Sequence, residues 1–117
     1  MLRNVKSPFQ LEFTRSGGAL VTARLDVWQA TNAGWQPAAQ YEFRQATQPR
    51  EVVTGTLAQG SYTCVFQCYV EESLNGKYAF SFSVGGVGTY SDSGDVNTTS
   101  APNESKVYKD QFILVVQ

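Results

Sequence analysis

Apolar and polar side chains alternate with a period of two along almost the whole chain, and no stretch of about eleven residues keeps a helical stripe. Turn sequences rich in Gly and Asn interrupt the alternation at short intervals. Together these predict an all-β fold: an antiparallel β-sandwich, jelly-roll-like, with seven or eight strands and no significant helix. At 117 residues, 42% of them hydrophobic, the chain has the size of one domain, residues 1–117, and enough apolar surface for a core.

Strand 8–14 places Phe9, Leu11 and Phe13 on one face and Gln10, Glu12 and Thr14 on the other. Beyond Ser16-Gly17-Gly18, strand 19–29 turns Val21, Ala23, Leu25 and Val27 inward and Thr22, Arg24, Asp26 and Trp28 outward. Thr31-Asn32-Ala33-Gly34 is turn chemistry, because Asn and Gly tolerate positive φ. Strand 35–44 sets Trp35, Ala39, Tyr41 and Phe43 on its inner side, with Pro37 near the start, where a missing N–H does least harm.

A polar connection, 45–50, leads to a short strand, 52–57, and then to the longest signal, 61–71. Asn75-Gly76 between alternating runs predicts a tight hairpin that pairs 61–71 with 77–84. Gly85-Gly86-Val87-Gly88 loosens the pattern and reads as a bulge or a close backbone crossing. Residues 91–105 read as a polar loop. The last strand, 106–116, is apolar on both faces from Phe112 to Val116, which predicts cover on both sides or a partner on the outer one. The expected core is Phe13, Val21, Leu25, Phe43, Phe66, Phe80, Phe82 and Leu114.

Cys64 and Cys68 sit on one strand, about 13 Å apart at the rise of an extended chain, beyond the roughly 7 Å a disulfide spans. They are expected as free, buried thiols acting as small hydrophobes, which favours a reducing, cytoplasmic compartment. Residues 7–16 alternate and cannot form the apolar region of a signal peptide, and no apolar run approaches the roughly 20 residues of a membrane span. A soluble protein is the expectation.

The chain has no His, which excludes a His-based triad, a His-ligated metal and a histidine pH switch. Nine basic and ten acidic residues give a net charge of −1, so nucleic acid is not an expected partner. None of the four lysines lies in an apolar context that would lower its pKa, and Glu71 and Glu72, adjacent on a strand, would face opposite ways. The chain is therefore not expected to be an enzyme; only carboxylate-dependent chemistry is left as a catalytic reading.

Candidate binding residues come from two departures from pattern. Trp28 and Tyr69 fall on polar faces, so the alternation exposes them, and exposed aromatics serve sugar-binding and protein-binding surfaces. Asp92, Asp95 and Asn97, with Ser91, Ser93 and Thr98, crowd oxygen atoms onto the 91–105 stretch. Calcium takes oxygen ligands of this kind, although the spacing is not that of an EF-hand.

The segments Gly55-Thr56-Leu57, Gly60-Ser61-Tyr62 and Gly76-Lys77-Tyr78-Ala79-Phe80-Ser81-Phe82 together resemble the accessory jelly-roll modules attached to secreted hydrolases. In those modules a Gly-x-Tyr strand pairs with a Tyr-x-Phe strand, so the resemblance implies the same pairing here. The leading functional expectation is a non-catalytic module that binds carbohydrate or another polar ligand through loops and exposed aromatics. The alternative is a structural protein of an assembly: a homo-oligomer, or a virion or secretion-machine component. The surface suits both, since charged residues are only 16% and Gln, Ser and Thr number ten each.

Overall fold

A computed structural model describes residues 1–71, 76–96 and 105–117. Among these residues there are nine β-strands and no helix. They are β1 (Leu2–Val5), β2 (Phe9–Gly17), β3 (Leu20–Thr31), β4 (Gly34–Phe43), β5 (Arg50–Gly55), β6 (Gly60–Glu71), β7 (Lys77–Val84), β8 (Val87–Asp95) and β9 (Ser105–Val116). Two sheets pack face to face: five strands in the order β1-β9-β6-β3-β4, and four in the order β5-β2-β7-β8. Every pairing is antiparallel except β1 with β9, which is parallel. Only β3–β4 and β7–β8 are hairpins within one sheet; each other consecutive pair of strands sits in different sheets.

Alternation sets the two layers. Along β6, Tyr62, Cys64, Phe66, Cys68 and Val70 are buried while the residues between them face outward. All eight expected core residues are buried. The centre is aromatic: the Phe66 ring lies 4.5 Å from Phe82 and 5.3 Å from Tyr90, both stacked, and Phe13 lies 5.6 Å from Phe43 and 5.8 Å from Phe80. Offset packing of this kind suits the ring quadrupoles and adds roughly 0.5–1.5 kcal/mol per pair beyond the area buried.

Four expectations are corrected. The hairpin predicted between 61–71 and 77–84 does not form, because β6 has both edges filled by β3 and β9 while β7 pairs with β2 and β8. The two strands meet across the core, as the Phe66–Phe82 stack records, and not along an edge. The pairing implied by the resemblance to hydrolase accessory modules fails with it, and Asn75 itself lies outside the described residues. Second, the polar loop does not begin at residue 91: β8 continues through Asp95 in register with β7. Ser, Asp and Gly are poor strand formers, but an edge strand exposed on one side needs only its backbone pairing.

Third, a short strand, β1, precedes the first one expected, because lying parallel to β9 requires only four residues. Fourth, Trp35 is 60% exposed instead of inward, for a reason given below.

Three glycines, at two places in the fold, are forced. Gly85 and Gly86 both have positive φ, 57° and 82°, and make the two-residue turn between β7 and β8. The expected bulge sits beside it: Phe82 faces Tyr90 and Ser83 faces Gly88, leaving Thr89 as the extra residue. Gly17, at φ 100°, passes so close to β7 that an added Cβ would lie 2.1 Å from the Lys77 carbonyl oxygen.

The corner between β4 and β5 closes on Arg15, which is 7% exposed. Its guanidinium donates to the Phe43 carbonyl at 3.2 Å, to the Gln45 carbonyl and to the Glu51 carboxylate. Glu51→Ala would strip a buried cation of its counter-charge, so a loss of about 3–5 kcal/mol is expected in urea unfolding. A loss below about 1 kcal/mol would show that the pair is solvated.

The two thiols are free and buried, and burial pushes both up to about 12. A thiol reagent should therefore label neither until the protein unfolds. The sign for stability follows: in the unfolded chain the thiols ionise near 9, so unfolding releases protons between about 9 and 12 and stability falls as pH rises through that window. Fast labelling of the native protein at pH 8 would contradict this burial.

Candidate functional site

The two outer faces of the sandwich differ in chemistry. That of the four-stranded sheet carries a cluster of small hydroxyl residues, Thr14, Ser81, Ser83, Ser91 and Ser93, beside the Glu12–Arg50 ion pair and exposed Val52, and among the described residues no aromatic side chain. That of the five-stranded sheet carries Trp28, Trp35 and Tyr69. The candidate site lies there.

Strand β3 supplies its spine, with Thr22, Arg24, Asp26 and Trp28 on successive outward positions, all half-buried. Next to them on β4 stand Glu42, opposite Arg24, and Gln40, opposite Asp26; on β6 stand Tyr69, opposite Thr22, and Gln67, opposite Arg24. The pairing of β3 with β4 is regular from Ala23–Phe43 to Val27–Ala39 and then slips, so that Trp28 faces Pro37. Ala38 is the extra residue of a β-bulge, and it reverses the inside–outside sense of the rest of β4. Trp35, opposite Ala30, thereby joins Trp28 and Pro37 on the outer face.

This is why the inward assignment of Trp35 fails. Pro37 was the available signal, since a proline within a strand marks an edge or a bulge.

A hydrogen-bonded lattice fixes the polar part. Asp26 accepts from Arg24 Nε at 3.0 Å through Oδ2 and from Gln40 Nε2 at 2.7 Å through Oδ1. Arg44 reaches Glu42 at 3.4 Å, and the Tyr69 hydroxyl donates to the Gln67 side-chain oxygen. Arg24 and Arg44 each stand beside a carboxylate, and Lys109, opposite Gln67 on β9, adds a further cation to the same row, so the face offers many donors and acceptors around a small net charge.

The face holds two shallow depressions. One, around the bulge, is lined by Asp26, Trp28, Pro37, Ala38 and Gln40; the other by Thr22, Arg24, Glu42, Arg44 and Tyr69.

Trp28 and Tyr69 are thus on one face, both half-buried where the alternation predicts exposure, and about 20 Å apart along the strands. Asp92 and Asp95 are elsewhere, on edge strand β8 of the other sheet. Asp92 pairs in register with inward Phe80 and accepts from the Tyr78 hydroxyl at 3.1 Å, whereas Asp95 pairs with exposed Lys77. Burial, and then the Asp92 carboxylate, push the Tyr78 hydroxyl upward. Three residues apart on a strand, Asp92 and Asp95 project to opposite sides and do not converge on one cation. Asn97 lies outside the described residues, and among those described no three metal-ligating side chains cluster. No described helix is long and apolar enough to cross a membrane.

The bulge makes a spectroscopic prediction. Acrylamide should quench the Trp28→Phe variant, which retains Trp35, more steeply than the Trp35→Phe variant, which retains half-buried Trp28. Equal quenching would mean that β4 pairs without the slip. A comparison of the chain with protein-family models, curated proteins and solved structures finds no match.

Proposed function

We propose that the protein is a non-catalytic binding module that takes neutral carbohydrate on the outer face of its five-stranded sheet. The observation that carries this reading is the bulge, which brings Trp28, Trp35 and Pro37 onto one surface beside the hydrogen-bonded Asp26–Gln40 pair. A sugar ring has an apolar C–H face and a rim of hydroxyls. Aromatic side chains match the first, and a carboxylate and an amide with spare lone pairs and N–H groups match the second. Both sets sit on strands and are held by neighbours, so little conformational freedom is lost when a ligand arrives. The charge pattern of the face fits an uncharged ligand: Arg24 and Arg44 are paired with carboxylates, and Lys109 beside Gln67 is one cation where a polyanion needs a cluster of them.

The test is a glycan array followed by titration of the tryptophan fluorescence with the best hit. Trp28→Ala should weaken that affinity by about tenfold or more, the loss of one aromatic platform. An array without signal would sink the proposal.

A second reading, assembly, is favoured by a separate feature of the same face. Leu2 and Ile113, register partners on β1 and β9, are 50% and 38% exposed there and continue the row of Thr63, Trp28 and Pro37 across all five strands. Light scattering during gel filtration separates the two: an oligomer whose formation hides the tryptophans from quenching favours assembly over sugar binding.

A further inference from the structure

The two depressions on the outer face share strands β3 and β4 and meet at the Arg24–Asp26 ion pair, with one aromatic side chain at each far end. We infer that they are two subsites of one track, and that the ligand class is a linear oligosaccharide lying along β3, not a single sugar or a branched terminus. This inference rests on the carbohydrate reading above.

Three observations converge on a track. Trp28 and Tyr69 are separated by about 20 Å along the strand direction, too far for one sugar ring to touch both. The outward residues between them on β3 and β4 are the polar ladder Asp26, Gln40, Arg24 and Glu42, flanked on β6 by Gln67 and one apolar residue, Val65, so the aromatic ends are joined mainly by hydrogen-bonding groups. The ladder is also charge-neutral in pairs, 3.0 Å for Arg24–Asp26 and 3.4 Å for Arg44–Glu42. A run of uncharged hydroxyls can exchange bonds with such pairs without leaving a net charge unsatisfied. The strands hold the ladder straight, since β3 and β6 pair without a slip from Leu20 to Trp28. A straight track selects an extended chain.

The experiment is isothermal titration of the intact protein with ladders of linear cello-, xylo-, manno- and chito-oligosaccharides, from disaccharide to hexasaccharide. In the ladder that binds, affinity should rise about tenfold or more between the disaccharide and the longest member, as the second platform is engaged. Tyr69→Ala should abolish that rise, bringing the hexasaccharide down to the affinity of the disaccharide. Tyr69 is half-buried, so Arg44→Ala, at a side chain 73% exposed, is made in parallel and should also flatten the length dependence, with the melting temperature of each variant recorded. A ladder that binds with the same affinity at every length overturns the track and leaves the carbohydrate reading standing. A rise with length that survives both substitutions also overturns it. No binding by any ladder, with an array that is likewise silent, overturns both.

Discussion

Phe66 is the side chain on which the two layers depend. It projects from the middle strand of the five-stranded sheet and stacks on Phe82 and Tyr90, which come from neighbouring strands of the other sheet. Neither sheet could hide its apolar face alone. The rings must therefore interlock in one register only, because a slip of one residue in β6 would replace Phe66 by Val65 or Gln67 and turn the whole inner row outward. The same stack fixes the outer surface. Where Phe66 is held inward, Gln67 and Tyr69 are held outward, and β3, paired to β6 through nine residues from Leu20 to Trp28, is locked in phase with them.

The layers were legible in the sequence because burial leaves a period of two, and the eight side chains read as core are all in the core. What alternation does not encode is whether two apolar rows meet edge to edge or face to face. Phe66 and Phe82 were rightly grouped, yet Asn75-Gly76 suggested a shared edge where there is a shared interior. Trp35 failed for a related reason: one inserted residue, Ala38, reverses a phase that the flanking residues would otherwise carry on. Of the candidate site, Trp28 and Tyr69 were legible as aromatics on the polar side of their strands, but not their half-burial among cross-strand neighbours. Asp26, Gln40 and Arg24 were not, because their part depends on cross-strand neighbours that no local pattern names. Asp92 and Asp95 looked like loop ligands through composition alone, and pairing with β7 separates them.

The contrast between the outer faces narrows where recognition can take place. The four-stranded sheet presents short hydroxyl side chains, such as Thr14 and Ser81, which hydrogen-bond each other at 2.5 Å, beside the Glu12–Arg50 ion pair, and no described aromatic platform. The five-stranded sheet instead presents broad planar groups, with Trp35 standing well clear of the surface. The proposed binding surface is thus tied to a feature that weakens local pairing: the bulge costs β4 some of its ladder, and on an edge strand with one neighbour that loss stays local.

The parallel pair of β1 and β9 bears on the order in which the chain can fold. β9 follows the other eight described strands in the chain, yet it is an interior strand, inserted between β1 and β6. Until it arrives, β1 has no backbone partner and β6 has one bare edge, while Arg3 on β1 already has acceptors on β8, Thr89 Oγ1 at 3.1 Å and the Gly88 carbonyl at 2.9 Å. Pairing of such distant segments is entropically slow. Until β9 docks, the bare edge of β6 is the place where another copy's β9 could enter instead.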